Sequence, residues 1–194
     1  PSVLQQTGAF ISQGGTTLTP GTYELLTSLQ TLATYIQSPK NISSVAWSNG
    51  VTTVTAAAAH GFAVGTKIPM VIAGMIPAAY NGTFLATVTT TTAFTYPLLS
   101  NPGSGTTEGT FLPESTNELN QMATTHFGQG SIVPVYVLEL GAGDAAAGVP
   151  VLEAFIAAHS SPQFFYSYLV PRYWDSAPAF LNMLAQFEGL SAKT

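Results

Sequence analysis

The sequence contains no cysteine, which excludes a disulfide framework and a thiolate metal site. Charge is nearly as scarce. Asp, Glu, Lys and Arg make up 7% of the 194 residues, against roughly 25% in ordinary soluble domains. The basic residues are Lys40, Lys67, Arg172 and Lys193, no two of them close together, and the net charge is −5. Such a chain has no cationic cluster to neutralise phosphates, so nucleic acid is excluded as a partner. No apolar run reaches the ~18 residues of a membrane-spanning helix. No secretory leader is visible, and Pro1 stands where removal of an initiator Met would leave it.

What is present is a 46% hydrophobic chain rich in Thr, Ala, Gly and Ser. That is enough apolar material for a packed core, in one large or two small domains. Free-standing domains use surface charge for colloidal solubility. A surface this neutral is expected to end up covered by neighbours.

The stretch from Ser131 to Arg172 organises the rest. Ile132–Leu140 is an apolar, β-branched run of strand length. Gly141-Ala142-Gly143-Asp144 breaks it. Val151, Leu152, Phe155 and Ile156 then recur at helical spacing, with Pro150 in a first turn and Ser160-Ser161-Pro162 as the stop. Phe164–Val170 reads as a second strand. Two apolar strands joined by a crossover helix predict a right-handed βαβ unit. Two strands are too few for a stable sheet, and a short strand near residues 3–11 could supply a third.

A helix is predicted from Tyr23 to Gln37, with Leu25, Leu26, Leu29, Leu32, Ala33 and Ile36 as its apolar stripe and Pro39 beyond it. Between Asn41 and Pro113 the helical pattern vanishes. Six β-prone runs take its place: 43–48, 51–56, 67–73, 82–90, 94–98 and 109–112. Turn signals separate them, and Asn49-Gly50 is the strongest, since a type I′ hairpin turn needs positive φ at both central residues. Short strands at this spacing predict a small antiparallel barrel or sandwich. After Pro113 a helix is predicted over 116–127, with Ser115 and Glu118 as a capping box. A last helix is predicted over 176–188, with Gly189 as its C-cap. The fold class is thus α+β: an α/β domain from residues 1–40 and 114–194, and an inserted all-β domain, 41–113. Ala192-Lys193-Thr194 resembles the start of a strand without its body, so the chain is expected to be a fragment of a longer protein.

Few residues suggest chemistry. Gly141-Ala142-Gly143-Asp144-Ala145-Ala146 fits G-x-G-x-x-A after a strand and before a helix, the form of a dinucleotide fingerprint. Asp144 puts negative charge where pyrophosphate needs the opposite, and no ribose-binding acid closes the second strand, so a plain βα turn is the expectation. His60, His126 and His159 each lack a second ligand at i+2 to i+4, and no metal site is expected. His60 reads as a turn residue and His159 as a helix C-terminus. Glu114 and Glu118 read as helix-start acids. Glu139 sits in an apolar strand, and Arg172, the sole Arg, is a candidate partner for it. No G-x-S-x-G elbow occurs. Asn41-Ile42-Ser43 and Asn81-Gly82-Thr83 match glycosylation sequons by chance. No catalytic, cofactor-binding or metal residue is assigned.

The segment Ala59-His60-Gly61-Phe62-Ala63-Val64-Gly65-Thr66, followed by Gly74-Met75-Ile76-Pro77-Ala78-Ala79-Tyr80-Asn81-Gly82-Thr83-Phe84 and Phe94-Thr95-Tyr96, resembles a small β domain that recurs in bacteriophage tail proteins. The flanks, with Tyr136-Val137-Leu138-Glu139-Leu140-Gly141 and Tyr168-Leu169-Val170-Pro171-Arg172, resemble the α/β core of contractile tail sheath proteins. The resemblance covers most of the chain and implies a non-enzymatic virion protein. Sheath subunits stack in rings around the tail tube, link to the baseplate and contract during genome delivery. They would be assembled in the host bacterial cytoplasm and reside in the virion tail. In that family terminal arms add strands to neighbouring subunits, a role residues 1–12 would fill. The family's C-terminal core and arm have no counterpart here, so the chain alone is expected to be monomeric. The alternatives are another tail component (tube, baseplate or adhesin) sharing the β module, and, more remotely, a nucleotide-binding α/β enzyme using the 141–146 turn.

Overall fold

A computed structural model describes residues 7–106, 109–130, 133, 135–160 and 165–191. The first strands are β1 (Gly8–Ser12) and β2 (Tyr23–Leu26), followed by the short helix α1 (Leu29–Ala33). Next come β3 (Lys40–Ser48), β4 (Val51–Ala56), β5 (Lys67–Ala73), β6 (Gly82–Val88), β7 (Ala93–Pro97) and β8 (Thr110–Pro113). The chain then runs through α2 (Glu114–Gly128), β9 (Val135–Glu139), α3 (Ala145–Ala158), β10 (Ser167–Leu169) and α4 (Pro178–Ser191). Single 3₁₀ turns lie at Ala78–Tyr80 and Arg172–Trp174. Two compact units result: residues up to 36 together with those from 115 onward, and residues 37–114.

The first unit is built on a mixed four-stranded sheet in the order β10-β1-β9-β2. β1 runs parallel to both β9 and β10. It therefore lies between the two strands that the crossover helix α3 connects. Its sequence suits a central position. Ala9 and Ile11 join one core with Leu138, Leu152, Phe155 and Trp174. Phe10 joins another with Leu26, Leu32, Leu119 and Val137. A strand buried on both faces reads as continuously apolar rather than alternating. Of the predicted arm, residues 8–12 thus belong to the chain's own sheet, and residues 1–6 lie outside the described residues. β10 is much shorter than the predicted 164–170 run, since the Phe165 side chain turns into the core instead. Ile132, Pro134 and Phe164 of the predicted strands lie outside the described residues.

Four expectations are corrected in this unit. The helix predicted over 23–37 is instead a strand followed by a single helical turn or so. Tyr23–Leu26 pairs antiparallel with β9, from Tyr23↔Leu138 to Leu26↔Val135. Gly21, with φ of 83°, turns the chain into that path. Helix begins only at Ser28, whose side chain accepts the Thr31 N–H at 3.2 Å. In a Thr-rich segment of modest helix propensity, strand pairing wins. The Ser115–Glu118 capping box does not form. Ser115 Oγ accepts the Gln13 N–H at 2.9 Å, and Glu118 accepts the Arg172 N–H at 2.9 Å. α3 starts at Ala145, ahead of Pro150, because Asp144 caps it: Oδ1 accepts the Ala147 N–H at 3.2 Å. α4 continues through Gly189 to Ser191, a glycine costing about 1 kcal/mol in a helix without stopping it.

The second unit is a closed antiparallel barrel in the order β3-β4-β7-β6-β5-β8. Closure removes the exposed edges that a short-stranded sheet would present. Asn49 and Gly50 have φ of 49° and 83°, as a type I′ turn requires. The interior is filled by Ile42, Val54, Ile68, Met70, Ile72, Ala86, Val88, Phe94 and Phe111.

Candidate functional site

The chemistry-bearing residues converge in two places, one in each unit. In the first unit the centre is Glu139. It is 1% exposed and accepts five hydrogen bonds. Oε1 receives the N–H groups of Gly14 and Gly141, each at 2.7 Å. Oε2 receives the Ser12 hydroxyl at 2.6 Å, the Thr16 hydroxyl at 2.7 Å and the Thr16 N–H at 3.2 Å. A carboxylate offers about four lone-pair sites. All of them face donors of the chain itself, and none faces Arg172, whose side chain is exposed. This neutral cage stands where the candidate Glu139–Arg172 pairing would have been. The cage exists because β1 and β9 pair in register up to Ser12↔Glu139. The chain then folds back through Gly14, whose φ of 72° admits the reversal.

Gln13 extends the knot. Its Nε2 donates to the Asp144 carbonyl at 2.8 Å. Its Oε1 accepts from the Tyr173 hydroxyl at 2.8 Å and the Trp174 indole at 2.7 Å. Gln13 and Trp174 thus lie against the Gly141–Ala146 turn and the first turns of α3. A Cβ on Gly148 would collide with both. Where a dinucleotide would need an open helix N-terminus, the donors are capped by Asp144 and the space holds protein side chains. Ser12, Gln13, Thr16, Tyr173 and Trp174 escaped sequence reasoning. The pairs lie as much as 161 residues apart, and Gly14-Gly15 was the one local sign.

In the barrel, residues of the 59–96 motifs hold its loops. His60 lies between strands, before Gly61 with its φ of 85°, and is 2% exposed. Its Nδ1 accepts the Phe62 N–H at 3.1 Å, so Nε2 carries the proton and donates to the Thr90 carbonyl at 2.9 Å. Burial pushes its pKa below the usual histidine value, partly opposed by the Thr90 and Ala93 carbonyls. Asn81 Oδ1 accepts the Met75 N–H at 2.8 Å and its Nδ2 donates to the Met75 carbonyl at 2.9 Å, so both ends of the amide are engaged. Tyr80 donates to the Gly103 carbonyl at 2.6 Å. Tyr96 donates to the Tyr80 carbonyl at 3.0 Å and stacks on Phe84 with 4.2 Å between ring centroids. Burial pushes the Tyr96 phenol up to about 12.

The remaining candidates stand apart. His126 bonds the Val133 carbonyl at 3.1 Å, and His159 C-caps α3 with Nδ1 on the Phe155 carbonyl at 2.8 Å. Glu114 opens α2, where its charge suits the helix dipole. Asn41 is exposed on β3. Among the described residues no three His, Asp or Glu side chains gather as metal ligands, and no helix is long and apolar enough to cross a membrane. No protein-family model matches this chain, and no curated protein sequence matches it.

Proposed function

We propose that this chain is a non-enzymatic structural subunit of a bacteriophage contractile tail sheath. Its partners in that reading are further copies of itself, the tail tube and the baseplate, and its place is the virion tail. The observation that carries the reading is the inserted barrel: residues 37–114 form one closed antiparallel barrel, and its turns and loops are held by the residues of the tail-module pattern, His60, Tyr80, Asn81 and Tyr96. The low charge supports it, since 7% charged residues suits surfaces covered in a lattice. The side chains with chemical potential serve the fold: Glu139, Gln13, Asp144 and His60 are held by the chain's own groups. Strand exchange through the segment ahead of β1 would link neighbouring subunits.

The test is negative-stain electron microscopy of the complete reading frame that encodes this chain. Hollow tubes or stacked rings are expected. Uniform small particles, persisting when the neighbouring tail genes are co-expressed, would sink the sheath reading. A second reading, another tail component such as a tube, baseplate or adhesin protein, is favoured by one fact. The more specific motifs lie wholly within 59–96, inside the barrel. It predicts assembly with other tail proteins and no contractile polymer.

A further inference from the structure

The barrel is closed unevenly. β3 pairs with β4 along its length, and with β8 through Lys40 and Asn41, after which the Ile42 N–H donates to the Gly109 carbonyl at 2.8 Å. Beyond Ile42 the register of β3 on β4 shifts, and among the described residues 44–48 pair with β4 alone. The opening is bordered by the 101–105 loop. Between them lies a groove of about 380 Å³, lined by Val45, Trp47, Tyr80, Asn101, Ser104 and Gly105, among others. A volume of that order is typical of small-ligand sites.

The groove is built rigidly. Tyr80 holds the loop by its bond to the Gly103 carbonyl, and Asn101 Oδ1 accepts the Gly103 N–H at 2.9 Å. The Thr106 N–H reaches the Ile76 carbonyl at 2.8 Å. Gly105 sits on the Val45 side chain so closely that a Cβ there would overlap it. Trp47 is fixed by its indole N–H, which donates to the Leu98 carbonyl at 2.7 Å, and its ring is half-buried. A preformed site forfeits little ordering entropy on binding.

Its chemistry is specific in kind. Among the described residues no charged side chain lines the groove, so none of them offers an anion or a cation a counter-charge. The Asn101 amide nitrogen and the Ser104 hydroxyl make no hydrogen bond among the described residues, and both residues are exposed. An aromatic face beside neutral donors and acceptors matches a ligand with an apolar C–H face and many hydroxyls. We propose that this groove binds a neutral saccharide, its ring laid on Trp47 and its hydroxyls on Asn101 and Ser104. The proposal stands independently of the sheath reading.

The test uses the full chain, with chitotriose, maltotriose and lactose as probes, by calorimetry and tryptophan fluorescence. Trp174 is fully buried, so a saccharide-dependent change reports on Trp47. At least one probe is expected to saturate below about 10 mM, a realistic affinity for a shallow neutral site. Ser104→Phe, an exposed change that fills the groove, is expected to weaken binding at least tenfold, to about the level of Trp47→Ala. Asn101→Ala is expected to weaken it about threefold. Trp47→Phe is expected to retain calorimetric binding. Because Trp47→Ala also removes the bond to Leu98, Ser104→Phe is the deciding variant. No saturable response to any probe would overturn the proposal. So would saturation that Ser104→Phe leaves unchanged. Saturation by a hexathreonine peptide and by none of the sugars would make the groove a strand-edge docking site and overturn it equally.

Discussion

Ser12 Oγ donates to Glu139 Oε2 at 2.6 Å across 127 residues of sequence. The bond joins the C-terminal ends of two adjacent parallel strands at their last register pair. The same carboxylate draws in Gly14, Thr16 and Gly141, so one side chain fixes the exits of both β1 and β9. Replacing it should therefore be severe. Glu139→Ala removes the acceptor of five hydrogen bonds, four of them buried, and each unmet polar group costs about 1–3 kcal/mol. A loss above about 4 kcal/mol is expected, or failure to fold. Glu139→Gln keeps the shape but turns an amide NH2 towards donors, and should cost about 2–4 kcal/mol. Urea unfolding measures both, and a loss under about 0.5 kcal/mol for Glu139→Ala would refute the cage's importance.

His60 makes the barrel acid-sensitive. Its neutral Nε2–H tautomer is required, because Nδ1 accepts the Phe62 N–H and a second proton would break that bond. Its folded pKa is lowered, chiefly by burial. The folded protein then holds this proton less readily than the unfolded chain, whose histidine titrates near about 6.5. The stabilisation is full above that value and is lost as pH falls through the folded pKa. Stability measured from neutral to mildly acidic pH should fall in the wild type and fall less in His60→Asn. An NMR titration placing His60 at or above the free-histidine value would contradict this.

The barrel was legible because its information is local. Alternating runs and the Asn49-Gly50 turn lie next to what they pair with, and observed strands such as 51–56 and 67–73 coincide with the predicted ones. The sheet of the first unit was less so. Tyr23–Leu26 becomes a strand only because β9, more than a hundred residues away, offers it an edge. Glu139 stood out as an acid within an apolar strand, but its donors are main-chain groups and hydroxyls brought in by the Gly14 reversal, which no spacing rule reveals. The same holds for Gln13: nothing local tells a glutamine near a Gly-Gly pair that it will bridge Asp144 to Trp174.

Two helical glycines should respond oppositely to alanine. Gly148 lies within α3, where a Cβ would stand 2.6 Å from Trp174 Cζ2 and would also strike Gln13. Gly128 ends α2 with nothing within 4 Å of the same position. Helix propensity alone favours alanine by about 1 kcal/mol at interior sites. Overpacking typically costs about 1–3 kcal/mol, which outweighs it at Gly148. Gly148→Ala is expected to lower the unfolding free energy by about 1–2 kcal/mol, while Gly128→Ala leaves it unchanged or raises it slightly. Equal stabilisation by both would show that Gln13 and Trp174 yield without cost.

Asn81 separates a structural from a surface role for the motifs within 59–96. Its amide pairs with both the N–H and the carbonyl of Met75, imitating a neighbouring strand where the chain leaves β5. Asn81→Ala removes both bonds and should cost about 1–3 kcal/mol. Asn81→Asp keeps the acceptor but sets a carboxylate against the Met75 carbonyl. Repulsion then adds to the lost bond, so aspartate, the closer isostere, is expected to be at least as damaging as alanine. A residue present for glycan attachment or partner contact would show the reverse, with folding stability untouched by either change. Thermal unfolding of the two variants decides between these outcomes, and a stability equal to wild type for Asn81→Asp would remove Asn81 from the framework of the barrel.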